Sequence, residues 1–163
     1  MITLLVPTLN HPDLIHRQLR YYADVGFPGA ILIGDSSEGE LAERTEEAVK
    51  KHQDKVDVTY VWCPNMHDTA AQQQLVKLVK TPYVIGSGDD DFYIPSVLQE
   101  LVDFLSNNPE YGSVHGLASM AIVQPNGTGQ NVLGTAYYPQ QVSEAETASE
   151  RLLHHYSHYS NVG

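Results

Sequence analysis

The sequence has a single cysteine, Cys63, among 163 residues. One thiol excludes an internal disulfide and any zinc site built from several cysteines. Positive charge is also scarce: 9 Lys and Arg stand against 20 Asp and Glu, which gives a net charge of −11. This balance argues against binding of nucleic acid or anionic lipid through charge. A nucleotide ligand remains possible if a cation offsets the charge of its phosphates.

Long apolar runs are missing as well, and none approaches the ~20 residues that a membrane-spanning helix needs. Residues 1–7 lack a basic leader, so no signal peptide is predicted. Hydrophobic residues make up 42% of the chain, which is enough for a sizeable core. We therefore expect one soluble, cytoplasmic domain spanning residues 1–163.

Four short apolar runs alternate with four amphipathic segments in the first two thirds of the chain. Strands are predicted at 2–6, 30–34, 56–62 and 83–87, and helices begin near residues 12, 37, 68 and 95. Continuous apolar runs are typical of parallel strands that are buried on both faces. The alternation predicts an α/β fold with a doubly wound, mainly parallel sheet.

Several polar residues match the start of a helix. Asn10 is predicted to cap a helix whose first turn contains Pro12. Ser37 and Glu40 have the spacing of a capping box, and Asp68 is predicted to cap a helix that runs through residue 80.

The pattern changes after residue 107. One long or two short strands are predicted over 113–123, and Asn126-Gly127 is typical of a turn. A return strand over 131–138 and a helix over about 143–156 complete the prediction.

Polar groups follow three of the predicted strands, at residues 7–10, 35–37 and 89–91. The carboxyl ends of parallel strands meet at one edge of a sheet, where ligands bind in open α/β folds. Removing three adjacent carboxylates from water is unfavourable unless a cation such as Mg²⁺ binds to them. If the extended geometry continues, Asp89 and Asp91 face one way and Asp90 the other. An acidic turn at a strand end is the alternative interpretation of this run.

Together these strand ends resemble the amino-terminal half of a family 2 glycosyltransferase of the GT-A fold. The family's first strand ends in Pro-Thr-x-Asn, as residues 7–10 do, and its second ends in an Asp, as at Asp35. Its fourth strand runs into Asp-x-Asp, an aromatic residue and Leu/Ile-Pro, which residues 89–95 match. The order and spacing agree over about residues 2–105.

The resemblance implies a Rossmann-like GT-A domain. Residues 1–106 would form its nucleotide-sugar-binding half, and 107–163 would begin an acceptor-side part. The implied activity is metal-dependent transfer of a sugar, with inversion, from a nucleotide-diphosphate donor to an acceptor hydroxyl. The donor would be a UDP- or GDP-sugar and the ion Mg²⁺ or Mn²⁺.

The resemblance also assigns seven residues to the donor. The base and ribose pocket would comprise Pro7, Thr8, Asn10 and Asp35. Asp89 and Asp90 would contact the nucleotide-sugar, and Asp91 would hold the metal together with Asp89. Without the resemblance, Asn10 is better explained as a helix cap, and Asp35 is equally well explained as a turn residue.

One part of the family pattern is missing. Such transferases place an acidic general base in a later segment, often a Glu-Asp pair at a helix start. No such pair follows Asp91, and Glu144, Glu146 and Glu150 have the spacing of an exposed helix face. The catalytic base is therefore unassigned. The short length and the ending at residues 160–163 predict an amino-terminal fragment.

Two other functions stay open at this point. A sugar-phosphate nucleotidyltransferase would need a glycine-rich, Arg-bearing loop after the first strand, where residues 7–10 stand instead. A non-catalytic nucleotide- or Ca²⁺-binding module is the other possibility. His154, His155 and His158 are interpreted as surface or interface residues rather than as a zinc site, because no acidic partner completes a known motif.

Overall fold

The computed structural model describes residues 1–124, 132–138 and 145–159, with the backbone alone for 155–159. Its strands are β1 (Ile2–Thr8), β2 (Ala30–Asp35), β3 (Asp57–Trp62), β4 (Tyr83–Gly86), β5 (Ala118–Val123) and β6 (Val132–Tyr138). Its helices are α1 (Pro12–Asp24), α2 (Gly39–His52), α3 (Asp68–Val76), α4 (Pro95–Asn107) and α5 (Ala148–Tyr159). The chain forms two compact units, Met1–Val114 and His115–Gly163. The expectation of a single domain whose two parts meet near residue 106 stays a prediction.

The first unit contains a four-stranded parallel sheet with the order β3-β2-β1-β4. This arrangement confirms the predicted α/β fold. The strand order reverses at β1, because β2 and β3 lie on one side of it and β4 on the other. The gap between the carboxyl ends of β1 and β4 is therefore the topological switch point, where open α/β sheets bind ligands.

Both faces of the central strands β1 and β2 are covered, which explains why these two strands are continuous apolar runs. The core on one face combines strand residues Leu4, Val6, Ile31 and Ile33 with helix residues Ile15, Leu19, Tyr22, Ala48, Val49 and Leu98. On the other face, Leu75 of α3 packs against Leu5 and Leu32. Helix α3 approaches closely because Gly34 has no side chain: a Cβ there would lie 3.2 Å from Leu75 Cδ1.

The predicted capping roles of Asn10 and Ser37 are wrong. Helix α1 is preceded by His11, and Asn10 instead adopts a left-handed backbone conformation with φ 62°. Helix α2 is preceded by Glu38, which makes no side-chain cap. The Ser37 hydroxyl accepts a hydrogen bond from the Asn10 backbone N–H at 2.7 Å. This bond between the two loops takes the place of both caps.

Helix α3 also differs from the prediction. Its N-cap is His67, whose Nδ1 accepts a hydrogen bond from the Ala70 N–H at 3.3 Å, so Asp68 lies in the first turn instead. The helix ends at Val76, four residues earlier than predicted.

The second unit contains an antiparallel hairpin of β5 and β6, together with α5. The predicted turn at Asn126-Gly127 lies outside the described residues. Strand β5 begins at Ala118 rather than near 113. Helix α5 begins at Ala148, because Thr147 and Glu150 form a capping box: Glu150 N–H donates to Thr147 Oγ1, and Thr147 N–H donates to Glu150 Oε2. Among the described helices, none is long and apolar enough to cross a membrane.

Candidate functional site

Asp89 lies where the carboxyl ends of β1 and β4 meet. The Thr8 hydroxyl, at the end of β1, donates a hydrogen bond of 2.7 Å to Asp89 Oδ2. His11 Nδ1, at the start of α1, lies 2.9 Å from the same oxygen. The Asp89 side chain is 13% exposed, so it is fixed on one side and open to solvent on the other. The structure thus brings together two of the predicted residues, Thr8 and Asp89.

The acidic run is a turn rather than an extension of the strand. Strand β4 ends at Gly86, so the alternating orientation of a strand does not apply to the carboxylates that follow. Asp90 and Asp91 are both exposed. A Cβ added at Gly88 would lie 2.8 Å from Asp90 Oδ1 and 3.0 Å from Asp91 Oδ2. Both carboxylates therefore occupy the space that a side chain at Gly88 would need.

This pair fits a metal ion that is shared with a phosphate ligand. Mg²⁺ commonly takes one or two protein carboxylates and completes its shell with phosphate oxygens and water. Across residues 1–124, 132–138 and the described side chains of α5, no group of three or more His, Cys, Asp or Glu can hold a metal. Asp90 and Asp91 would supply two ligands of such an ion, and phosphate oxygens and water would supply the rest.

The acidic turn is fastened to α1 by Gln18. The side-chain amide Nε2 of this fully buried residue donates to the carbonyl oxygens of Gly88, at 2.9 Å, and of Asp91, at 2.8 Å. Its Oε1 has no hydrogen-bond partner within the described part of the chain. Gln18 was not predicted from the sequence. The available signal was a polar residue on an apolar helix face, three positions after Ile15 and four before Tyr22.

Aromatic residues of α1 fasten the segment that follows the acidic turn. The Tyr93 N–H donates to the Tyr22 hydroxyl at 3.1 Å, and the Tyr21 hydroxyl donates to the Tyr93 carbonyl at 3.1 Å. The Tyr93 hydroxyl donates to Gly86 O at 2.9 Å. Burial raises the pKa of Tyr22 to about 12. Burial, and then the charge of Asp91, raise the pKa of Tyr93. Both phenols therefore stay neutral near pH 7.

Asp35 organises the loop after β2 from a fully buried position. Its Oδ1 accepts a hydrogen bond from the Ser37 N–H at 2.9 Å, and its Oδ2 accepts one from the Tyr60 hydroxyl at 3.1 Å. Burial, and then the charge of Asp35, raise the pKa of Tyr60, so the phenol stays protonated and donates. With no exposed surface, Asp35 does not meet solvent in this conformation. Its predicted contact with the nucleoside stays a prediction.

Trp62 and Asn10 flank Ser37 at the same edge of the sheet. The Trp62 indole Nε1–H donates to the Ser37 carbonyl at 3.0 Å, while Ser37 Oγ holds the Asn10 N–H. Asn10 is exposed, and the predicted Pro7 is half-buried in β1 opposite Gly34. A cavity of about 70 Å³ opens at the other end of β1, beside Met1 and Ile2, and belongs to a different region. The side chains of His155 and His158 lie outside the described residues.

The sequence model of Glycosyl transferase family 2 matches residues 3–127 of the chain. No curated protein matches it. Among solved structures, the chain is similar to S. aureus TarS 1-349, with a TM-score of 0.58 and 18% identity over 66% of this chain and 33% of that one. It is also similar to the mannosyltransferase PcManGT from Pyrobaculum calidifontis in complex with GDP-Man and Mn²⁺, with a TM-score of 0.56 and 19% identity over 66% of this chain and 32% of that one.

A further structure of S. aureus TarS matches with a TM-score of 0.54 and 18% identity, over 65% of this chain and 19% of that one. The chain thus spans about a third or less of the length of these proteins. At such identities the likeness shows a shared fold, and it confirms the predicted GT-A class. Because the family match extends over more than half of its residues, the chain belongs to glycosyl transferase family 2.

Proposed function

We propose that this chain binds the donor in a metal-dependent glycosyltransferase, which moves a sugar with inversion from a nucleotide-diphosphate donor to an acceptor hydroxyl. The proposed donor is a UDP- or GDP-sugar, and the proposed ion is Mg²⁺ or Mn²⁺. One observation carries the proposal. At the switch point of the sheet, Thr8 and His11 hold Asp89 in place, and the exposed carboxylates of Asp90 and Asp91 stand beside it.

Each carboxylate has a role that follows from its environment. Asp89 uses one oxygen for Thr8 and His11, and a carboxylate has about four acceptor positions. It therefore retains the capacity to accept a hydrogen bond from a ribose hydroxyl. Asp91, with Asp90 or Asp89, would hold the ion. When bound, the ion would stabilise the negative charge that develops on the departing diphosphate.

The charge of the chain favours this division of roles. At a net charge of −11, an anionic diphosphate is repelled unless positive charge accompanies it. Placing the ion between Asp91 and the diphosphate removes that repulsion at the point of contact. Pro7, Thr8, Asn10 and Asp35 would line the base and ribose pocket, as the resemblance implies.

In the proposed reaction the acceptor oxygen forms a bond to the anomeric carbon, and the bond from that carbon to the diphosphate oxygen breaks. The hydroxyl proton must pass to a base. Glu150 is a poor base, because hydrogen bonds from Thr147 lower the pKa of its carboxyl group. The catalytic base is therefore not assigned to a described residue, and the proposal for this chain concerns donor binding.

The Pyrobaculum calidifontis mannosyltransferase supports a nucleotide-sugar and a divalent ion, because its structure contains GDP-Man and Mn²⁺. Because the two proteins share only a fold, this likeness does not identify the sugar or the acceptor of the present chain. The cytoplasmic location expected from the sequence stays a prediction.

Calorimetric titration tests the proposal. We expect UDP or GDP to bind in the presence of Mg²⁺ or Mn²⁺, and the Asp91→Ala variant to lose at least about 10-fold in affinity. Asp57→Ala is the matched control, because Asp57 is an exposed carboxylate at the amino end of β3.

The other two functions give different results in the same titration. Binding of a nucleoside triphosphate together with a sugar phosphate would favour a nucleotidyltransferase. If the affinity for the ion is the same with and without nucleotide, the proposal is refuted and a non-catalytic binding module is favoured.

A further inference from the structure

An exposed indole stands at the end of β3. Trp62 is 57% exposed, yet its Nε1–H donates to the Ser37 carbonyl at 3.0 Å. The hydrogen bond satisfies the polar edge of the ring and fixes its position, while much of its apolar surface stays open to water. Covering the exposed face of such an indole with a flat apolar or aromatic group lowers the free energy and therefore favours binding.

The position of Trp62 in the sheet links it to the donor site. In the parallel register, Trp62 lies opposite Asp35, and Asp35 lies opposite Thr8. In-register neighbours point to the same face of a sheet, so the three side chains form one row along its carboxyl edge. The Tyr60–Asp35 hydrogen bond on this face agrees with the alternation along β3, since Tyr60 is two residues before Trp62.

The spacing along this row matches a nucleotide. Trp62 and Thr8 are two strand spacings apart, roughly 10 Å, and Thr8 contacts Asp89 directly at 2.7 Å. That separation is comparable with the distance between the base and the distal phosphate of an extended nucleoside diphosphate. A ligand whose diphosphate lies at the acidic turn can therefore bring its base to Trp62.

We propose that Trp62 is the stacking surface for the nucleobase of the donor. This inference rests on the proposed function, and it adds the residue that binds the base. Stacking on an aromatic ring is available to every base, because each has a π-face. Trp62 thus supplies affinity without choosing between uracil and guanine. The exposed Asn10 is joined to Trp62 through Ser37, whose Oγ accepts from the Asn10 N–H and whose carbonyl accepts from the indole.

Trp62 is the only tryptophan in the chain, so its fluorescence reports on its own environment. UDP and GDP are titrated with Mg²⁺, and pyrophosphate and ribose 5-phosphate serve as probes that lack a base. We expect both nucleotides, and neither control, to change the emission in a saturable way. By calorimetry, Trp62→Ala should weaken UDP and GDP binding roughly 5- to 150-fold. It should leave the affinity for pyrophosphate unchanged, and Trp62→Phe should retain most of the nucleotide affinity.

The possible failures are distinguishable. If UDP and GDP bind Trp62→Ala as tightly as the original chain, and the tryptophan emission does not change, the base does not stack there while the proposed function survives. If the original chain binds neither nucleotide with Mg²⁺, both proposals fall. A thermal melt of each variant establishes that it is folded, and unchanged pyrophosphate binding by Trp62→Ala shows that the acidic turn is intact.

Discussion

The side-chain amide of Gln18 donates to the carbonyl oxygen of Asp91 across 2.8 Å, although the two residues are 73 positions apart in the chain. The conformation of the acidic turn is thus set by a buried side chain of α1 as well as by strand β4. Since the bond is made to the backbone, the Asp91 carboxylate stays available to a ligand.

Replacing Gln18 with Leu keeps the side-chain size and removes the donor to Gly88 and Asp91. We expect a loss of about 1–3 kcal/mol in the free energy of unfolding, because the partly buried Asp91 carbonyl loses its side-chain donor, while the Gly88 carbonyl keeps the Ser87 hydroxyl. Affinity for Mg²⁺ with UDP or GDP should fall as well, since the turn loses its anchor. Urea denaturation and calorimetry measure the two effects.

The matched control for this substitution is Gln73→Leu, an exposed position on α3, where a change within about 0.5 kcal/mol is expected. Equal unfolding midpoints for Gln18→Leu and the original chain would show that Gln18 does not anchor the turn.

Gly88→Ala tests the crowding of the two exposed carboxylates. The added methyl group would lie 2.8 Å from Asp90 Oδ1 and 3.0 Å from Asp91 Oδ2, so both side chains must move. Because both side chains are exposed, and water can replace the hydrogen bond from the Gly88 N–H to Asp91 Oδ2, we expect weaker binding of Mg²⁺ with nucleotide and little change in melting temperature. In Gly112→Ala, the control, the methyl group meets nothing within 4 Å. Unaltered ligand affinity in Gly88→Ala would argue against Asp90 and Asp91 as the ion's ligands.

Tyr60→Phe tests the support of Asp35. Removing the hydroxyl leaves a buried carboxylate oxygen without its donor, which costs about 1.5–3 kcal/mol for a hydrogen bond to a charged group. The free energy of unfolding of the variant should also depend less on alkaline pH. The folded state raises the pKa of Tyr60 above its usual value of 10.0, so the stability that this phenol contributes is complete below pH 10 and lost above it.

Urea denaturation between pH 9 and roughly pH 11 checks both expectations for Tyr60. The original chain should lose stability more steeply over this interval than Tyr60→Phe. Parallel curves would mean that the Tyr60 hydroxyl titrates as it does in the unfolded chain.

His16 and His52 make stability depend on mildly acidic pH. His52 Nε2 lies 3.3 Å from His16 Nδ1, at the contact between α1 and α2. Burial lowers the pKa of both below 6.5, and for His52 the charge of His16 follows as the second cause. The folded state therefore binds fewer protons than the unfolded state, so stability is complete above pH 6.5 and falls as the pH drops below it.

Other charges facing this pair act in both directions. Lys51 lowers the pKa of both histidines, Arg20 lowers that of His16, and Lys55 lowers that of His52. Asp13 raises the pKa of His16, and Asp24 raises that of His52. We expect the melting temperature to fall between pH 7.5 and roughly pH 5.5, and to fall less in His52→Gln. An equal fall in the variant would assign the pH dependence to other groups.

The sheet could be predicted from sequence because its two central strands, β1 and β2, are buried on both faces. Continuous apolar runs at residues 2–6 and 30–34 follow directly from that burial, and parallel geometry then places their carboxyl ends together. The approach of Thr8 to Asp89 was predictable on the same ground. It required only the strand ends and the rule for where ligands bind in open sheets.

The remaining site contacts depend on positions distant in sequence. Asn10 and Ser37 satisfy local rules for helix caps, yet the folded chain brings them within 2.7 Å of each other, and that bond replaces both caps. Full burial of Asp35 depends on Tyr60 from the next strand. A single sequence holds no measure of such distances, so His11 and Gln18 were not predicted as parts of the site.

The hydrogen bond between the Tyr22 hydroxyl and the Tyr93 N–H connects the hydrophobic core to the segment after the acidic turn. Since Tyr22 is packed in that core, the turn is ordered as part of folding itself. A ligand that arrives at Asp91 then loses little of its binding free energy to immobilising the protein. Mutations that weaken the packing of Tyr22 would leave the acidic turn less ordered, so that ligand binding would have to order it. Donor affinity would then fall, although the altered side chain never touches the ligand.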